Sequence, residues 1–595
     1  MTIDLEDTIY NSYFDDYDKR EIYGLLQQLI QYNYTKPREW QNKIYSLSRG
    51  KKKIPGKAIL TTCYQELKKQ GKIKENMDLE KYIRHKQVRS QSGVLVITIV
   101  MKPDKFSCPY DCYMCPDERK DNGAEVDMPR SYLSTEPAEM RAMEVDFDTV
   151  KQFRSRMTCL EKNGHEPDKA EIIVLGGTFS TYPRSYQQEF IRDIYFAANT
   201  YFELEERQPL SIEDEQTINE TSKCHIVGIT LETRPDQINK AEIQRFRSYG
   251  CTRVQLGVQH TNNDILDIIN RKHHIEDSQK AILMLKQSGF KVDIHIMPDL
   301  PGTTPELDKK MMDDIFKSPD YQPDYLKIYP CLDVQYTKIR EWKHSGKWKP
   351  YAEEGNGEKL KDVILYAKRL IPQWMRVNRV QRDFPPSSES NKFVGYVSNN
   401  IRTNLRQEVL KELEKEGRTC QCIRCREIKS QETDTSKAII TTQIYPASNG
   451  IEHFISFNTP DMKYLYGFIR LRFNNSNTLD YLKDMALIRE LHVYGDVKKV
   501  NQKKLDDKVQ HIGFGKRLIY RAESIAWKNG YRKIAIISAV GTRDYYRKMG
   551  YHLENTYMVK TLTGDPEQHN YLYYYLLSMI ILMIAIVLLL GNNTI

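Results

Sequence analysis

Cys108-Pro-Tyr-Asp-Cys112-Tyr-Met-Cys115 sets three thiols at C-x3-C-x2-C spacing. Three clustered thiolates can each hold one iron of a [4Fe–4S] cube, whereas four-cysteine sites fill every position. The remaining iron then stays open to chelation by the amino and carboxylate groups of S-adenosylmethionine. A structural zinc knot competes with this reading, but no fourth Cys or His lies within local reach. A disulfide pair competes too, yet the eleven cysteines are unevenly grouped. The N-terminus MTIDLEDTIYNSYFDDYDKRE is acidic without an apolar core, so it reads as neither a secretory signal nor a mitochondrial presequence. A reducing compartment with available thiolates is expected.

Two further stretches carry chemistry. Cys420-Gln-Cys422-Ile-Arg-Cys425 reads as a zinc site needing one ligand from elsewhere, with His453 a candidate; free thiols in a connector are the alternative. Gln510-His-Ile-Gly513-Phe514-Gly515 opens the helical pattern LIYRAESIAWKNG and is followed by the strand-like IAIISAV. Glycines between a strand and a helix let the backbone approach a ligand, and amides at the helix start bind a pyrophosphate.

The elements that must position these residues alternate in type. VLVITIV (94–100) reads as a buried strand with the cysteine loop at its carboxyl end. EIIVLGG (171–177), HIVGITLET (225–233), RVQLGVQ (253–259), VDIHIMPDLPG (292–302), YLKIYP (325–330) and MRVNRVQRD (375–383) follow, separated by helical segments. Strands alternating with helices predict a parallel sheet with right-handed crossovers, here a closed or partly open βα-barrel, with its chemistry at the carboxyl ends of the strands. Gly176, Gly177, Glu232, Gln255, Gln259, His295, Lys327 and Tyr329 fall at or near those ends. Singly each could be a packing residue, and packing is the better reading for His295. From Ser436 the chain becomes strand-rich, in KAIITTQIY, EHFISFN, YLYGFIRLRF and MALIRELHVYG. At the other end, apolar spacing predicts one helix from Lys19 to about Tyr45. A basic stretch follows, with Arg49–Lys53 and the run 81–89 interleaved with Tyr45, Tyr64 and Tyr82, which suits phosphates and stacked bases or an ordinary solvated surface.

At 595 residues the chain is too long for one core, and its composition, 40% hydrophobic and 28% charged, is that of a folded protein. The net charge of +9 permits a polyanionic partner without demonstrating one. Residues 571–590, YLYYYLLSMIILMIAIVLLL, carry no charge and are long enough to span a bilayer as a helix. A tail anchor is therefore expected there, with the body on the cytoplasmic face of a membrane.

Together these parts resemble the family of the catalytic subunit of Elongator and its archaeal and bacterial relatives, a radical SAM barrel fused to a GNAT acetyltransferase domain. The matching phrases include CYMCPD, STEPAEMRAM, IIVLGGTFSTYP, GITLETRPD, GCTRVQLGVQ, DYLKIYP, RVNRVQRDFP, IRELHVYG, HIGFGKRLIYRAE and GTRDYYRKMGY. The resemblance implies an α/β fold: a partial TIM-like radical SAM barrel, a GNAT α+β domain and, from this sequence alone, the added transmembrane helix. It implies a basic tRNA-binding region over 1–90, a radical SAM domain over 91–385, a linker with the zinc motif over 386–435 and a GNAT domain over 436–562.

The activity implied is carboxymethylation of C5 of the wobble uridine of tRNA, using a [4Fe–4S] cluster, S-adenosylmethionine and acetyl-CoA, with zinc at the second cysteine group. Cys108, Cys112 and Cys115 match the cluster ligands. Lys169 matches a lysine assigned to acetyl-CoA on the radical side. Glu490, Leu491, His492, Val493, Gln510, Gly513, Phe514, Gly515 and Tyr546 match acetyl-CoA contacts, and Gly176, Gly177 and Glu232 are assigned to cofactor at the barrel rim. Lys327, Tyr329 and Tyr546 are the implied catalytic residues. Partners implied are the tRNA anticodon loop, other Elongator subunits, a second copy of the chain and an electron donor; the membrane is a partner expected from the apolar tail of this sequence and not from the resemblance. Two departures stand at this motif: eukaryotic members usually space the first two cluster cysteines more widely, and they follow the third with Pro-Gly-Gly where this chain has Pro116-Asp117-Glu118. Two other activities fit parts of the sequence: a protein-lysine acetyltransferase with the barrel as scaffold, and a membrane-tethered tRNA-binding protein without turnover.

Overall fold

The computed structural model describes residues 19–32, 37–48, 55–74, 76–83, 93–104, 108–203, 207–382, 404–428, 433–494 and 513–567. Two seven-stranded sheets dominate it. The first runs in chain order: β1 (Leu95–Val100), β2 (Lys169–Leu175), β3 (His225–Thr233), β4 (Arg253–Gln259), β5 (Lys291–Ile296), β6 (Tyr325–Ile328) and β7 (Arg376–Arg379). Every pair is parallel. Sequential parallel strands with helical crossovers give the open half-barrel expected of a radical SAM protein.

The second sheet is mixed. It contains β8 (Ile439–Pro446), β9 (Gly450–Asn458), β10 (Leu465–Asn474), β11 (Met485–Val493), β12 (Lys533–Ile536), β13 (His552–Glu554) and β14 (Tyr557–Thr561), in the order β13-β14-β12-β11-β10-β9-β8. Only β11 and β12 pair in parallel, and the helix Phe514–Lys528 connects them.

One apolar core reaches across both sheets, from Leu95 and Ile97 in β1 to Leu487, Ala535 and Val559 in the second. The join is also ionic. Asp324, immediately before β6, accepts from Arg489 Nη1 at 2.9 Å and Nη2 at 2.5 Å, and Arg470 Nη1 lies 3.5 Å away. Glu452 takes Arg472 at 3.0 Å and Arg489 Nε at 3.0 Å, with Lys286 of the barrel's helical layer 3.8 Å away. None of these side chains is more than 1% exposed.

Three expectations are corrected here. Among the described residues no helix is long and apolar enough to cross a membrane. The anchor expected over 571–590 lies outside the described residues, so the fold is stated without a transmembrane helix, and the membrane partner and the tail-anchored location are withdrawn. The single helix expected from Lys19 is two, Lys19–Leu29 and Pro37–Leu47, because Pro37 lacks the amide a helix interior needs and fits the first turn of a new one. Tyr64 and Tyr82 are buried in this amino-terminal helical core, which leaves Tyr45, 61% exposed, as the one tyrosine of that trio open to a stacking partner.

Candidate active site

The cysteine loop leaves β1 at its carboxyl end and packs over the barrel mouth. Tyr113 N donates to Ile269 O at 3.0 Å, and Asn270 Nδ2 donates to Asp111 O at 2.6 Å. Each of the three sulfurs has a polar neighbour: Cys108 Sγ lies 3.3 Å from Thr178 Oγ1, and Cys115 Sγ accepts from Ser131 Oγ at 3.6 Å. Cys112 Sγ accepts from two buried guanidiniums, Arg271 Nη1 at 3.3 Å and Arg234 Nη1 at 3.5 Å. A hydrogen bond from the Cys115 thiol, reinforced by Arg271 and Arg234, brings the Cys112 thiol down to about 5 despite burial. A preformed thiolate flanked by hydrogen-bonding groups is what iron ligation requires, so these residues fit a [4Fe–4S] cluster. The departing residues are pinned in place. Asp117 pairs with Arg119 at 2.9 Å and Arg130 at 2.8 Å, and buried Glu118 accepts from Ser134 N and Oγ, each at 2.7 Å.

Beside the loop, Gly176 and Gly177 end β2. Gly176 has φ +153°, and a Cβ there would come 2.8 Å from Met101 Cβ, so only glycine lets these two strand ends approach so closely.

Strand alternation turns a column of polar side chains into the barrel. Glu232 Oε2 accepts from Tyr132 OH at 2.7 Å and its Oε1 lies 3.9 Å from His295 Nδ1. The His295 ring meets Tyr329 edge-on at 5.5 Å, and burial keeps the imidazole neutral. Lys327 Nζ donates to Gln255 Oε1 at 2.8 Å, and Asn378 Nδ2 donates to Asp293 Oδ2 at 3.0 Å. Tyr325 and Lys327 of β6 and Tyr329 just beyond it fall on one face by alternation, a run of about 13 Å at ~3.3 Å per residue. At its lower end the Tyr325 hydroxyl donates to Glu490 Oε1 of β11, whose other oxygen accepts from Arg470 Nε at 2.9 Å. The column thus joins the cysteine-loop rim to the second sheet.

Burial pushes the Lys327 ammonium down to about 8, against the pull of Asp293 and Glu232. Between about 8 and the ordinary value of 10.5 the unfolded chain holds this proton and the folded chain does not. Stability therefore rises with pH across that window, and the cost of the buried cation is fully present below it. Lys327→Met is expected to flatten the rise, as read from urea midpoints at about pH 7.5 and about pH 9.5. An unchanged slope in the variant would place the titration elsewhere.

The expected acetyl-CoA residues divide. Glu490, Leu491, His492 and Val493 lie on β11; Glu490 reaches the barrel through Tyr325, whereas Leu491 and Val493 pack against the second sheet's own core. Lys169 begins β2 and pairs with Asp168 at 2.6 Å. Gly513 takes φ +77° as the cap of the helix Phe514–Lys528, and a Cβ on Gly515 would come 2.9 Å from the Tyr545 hydroxyl. Tyr546 is buried against Tyr551 and Tyr545 instead, so Tyr545 presents its hydroxyl to the glycine loop. Gln510 lies outside the described residues.

Cys420, Cys422 and Cys425 have sulfurs within 4.8 Å of one another. Thiolates on one zinc ion stand about 3.8 Å apart at ~2.3 Å bond lengths, so the trio fits a single ion. His453 is not in that group; it lies on β9 against the Phe473 ring at 4.7 Å.

Arg234, Arg271, Tyr132 and Asp293 are residues of this site that motif and spacing did not single out. Arg234 stands in the quoted phrase GITLETRPD, and Asp293 lies two residues before His295 on the same strand, so alternation would have found it.

The model of the Radical SAM superfamily matches residues 106–315, and that of the Radical_SAM C-terminal domain matches 323–415. The tRNA uridine(34) acetyltransferase of Methanocaldococcus infernus is 39% identical over 506 residues, covering 84% of this chain and 91% of that protein. Elongator complex protein 3 of Homo sapiens is 36% identical over 497 residues, covering 81% and 86%. A solved structure, the archaeal Methanocaldococcus infernus Elp3 with an N-terminal deletion of residues 1–46, aligns at TM-score 0.66 and 36% identity over 79% of this chain and 99% of that one.

Proposed function

Since the chain belongs to the family of tRNA uridine(34) acetyltransferases and Elongator complex protein 3, within the radical SAM proteins, we propose that it builds a carboxymethyl group on C5 of the wobble uridine of tRNA. The observation that supports this reading is the polar column from Glu490 to Glu232, which runs from the second sheet, where acetyl-CoA would bind, toward the rim that carries the three clustered thiols.

When bound, the cluster and S-adenosylmethionine supply a 5′-deoxyadenosyl radical able to take hydrogen from an acetyl methyl group. Cys108, Cys112 and Cys115 would hold the cluster, with Arg234 and Arg271 neutralising the charge at Cys112. The Gly513–Gly515 backbone at the helix start would bind the pyrophosphate of acetyl-CoA. Lys169 and the β11 residues Glu490 to Val493 would direct its acetyl end toward the barrel floor. Lys327, titrating near 8, is suited to give or take a proton at neutral pH beside the base, and Tyr329 and His295 close the rim around it. Burying the reacting groups between two sheets excludes water and makes the encounter of acetyl group and radical intramolecular.

The test uses the reconstituted full chain with tRNA, S-adenosylmethionine, a low-potential reductant and acetyl-CoA deuterated on the methyl group. Deuterium is expected in 5′-deoxyadenosine, and a C5-carboxymethyl uridine in the digested tRNA. Modified uridine with no deuterium in 5′-deoxyadenosine would overturn the proposed hydrogen donor; no modified uridine at all would overturn the activity.

A further inference from the structure

Behind the cysteine loop, outside the barrel column, lies a cavity of about 510 Å³ bordered by Ile268, Pro301, Trp342, Lys347, Trp348 and Lys349. Its walls come from segments that follow β4, β5 and β6 in the chain, the strands whose carboxyl ends carry the candidate active site. Trp342 ties it to the cysteine loop: its ring meets Tyr113 edge-on at 5.3 Å, and Ile339 N donates to Tyr113 O at 3.3 Å.

The charge pattern here is selective. Asp333 is taken by Arg340 at 3.3 Å and Lys343 at 3.2 Å; Glu353 also pairs with Lys343, and Glu341 with Lys338. The carboxylates of this segment are therefore engaged by neighbours that do not border the cavity. Lys347 and Lys349 have no carboxylate partner among the described residues, and the Lys347 ammonium lies 3.9 Å over the Trp342 ring. Every charged residue on the lining is a cation, set beside the partly buried Trp342 ring, with Trp348 packed into the core beneath it.

We infer that this cavity holds an unpaired nucleotide of the RNA substrate next to the one being modified, with its base at the Trp342 ring and its phosphates on Lys347 and Lys349. A π-face with adjacent cations recognises single-stranded nucleic acid without reading its sequence, because every base has a face to stack. The volume lies within the range of small-ligand sites, and a concave aromatic cleft suits an inserted base better than a flat protein surface. The assignment rests on the proposed tRNA activity, and it adds a second contact beyond the barrel mouth that fixes the strand while the target base is inside.

The test measures binding of a fluorescent anticodon stem-loop to the full chain by anisotropy across a range of salt. The double variant Lys347→Gln/Lys349→Gln is expected to bind about tenfold more weakly, with a log K against log salt slope shallower by about 1.4, since each single-strand phosphate contact contributes ~0.7. Trp342→Ala is expected to weaken binding with little change in slope. S-adenosylmethionine cleavage without RNA stays at the wild-type rate in the lysine variant, which establishes that it is folded. Unchanged affinity and slope in the lysine variant would overturn the inference. So would unchanged RNA binding with slower cluster reduction by an acidic electron-carrier protein, which would make the cavity that protein's dock. If the wild type binds through these lysines but leaves uridine unmodified, the activity fails while the cavity assignment stands.

Discussion

Asp324→Ala is expected to lower the unfolding free energy by about 3–5 kcal/mol, the cost of leaving a buried charge unpaired. The carboxylate is fully buried and receives both terminal nitrogens of Arg489 as well as Val292 N at 2.9 Å. Its removal leaves four buried cations, Arg470, Arg472, Arg489 and Lys286, against only Glu452 and Glu490 inside the join between the sheets. Against a net stability of about 5–15 kcal/mol, that loss is a large fraction of the total. Burial by itself would raise the Asp324 carboxyl, but Arg489, Lys286 and Arg470 outweigh it and hold the group well below the usual carboxylate range. The contribution is thus present above the unfolded value of ~4 and lost as pH falls toward the folded one. Urea denaturation from neutral pH down to about pH 4 should show the variant less stable throughout, with a gap that narrows only under acid. A variant within about 0.5 kcal/mol of wild type, the range of surface substitutions, would mean the pair contributes no more than an exposed one.

Cys112→Ala is expected to abolish cluster assembly and every reaction that depends on it, while leaving acetyl-CoA binding intact. Cys112 is the thiol with two guanidinium donors and is only 2% exposed, so no water or neighbouring thiol replaces it easily. Three readouts separate the effects: iron per chain, 5′-deoxyadenosine formation and acetyl-CoA affinity by calorimetry. Loss of the first two with the third unchanged supports division of labour between the barrel and the second sheet. Full carboxymethyl-uridine formation by an iron-free variant would sink the radical assignment.

The half-barrel was legible because its central strands β3 to β6 are buried on both sides and carry apolar runs. HIVGITLET and RVQLGVQ became β3 and β4 with the same limits. β13 and β14 went unread: one is three residues long, the other five, and their identity depends on pairing with β12 and each other. The cluster thiols could be found from local spacing, and the polar column partly so, since Lys327 and Tyr329 alternate on one strand. What surrounds them could not. Arg234 lies 122 residues from Cys112, and Asp324 lies 165 from Arg489, distances over which no local pattern operates. Tyr545 and Tyr546 show the limit at shortest range: adjacent residues of one type, separated only by which way a short helix faces.

The ionic join also governs how this protein can be dissected. Cutting between the sheets would leave Arg470, Arg472 and Arg489 on one fragment, with Glu452 and Glu490 but without Asp324, and would open the shared core at Leu487 and Val559. The other fragment would keep Asp324 and Lys286 beside a newly exposed floor. An inactive carboxyl-terminal fragment would therefore report the damage done by the cut. Inactivating one centre at a time in the intact chain is the way to divide its chemistry.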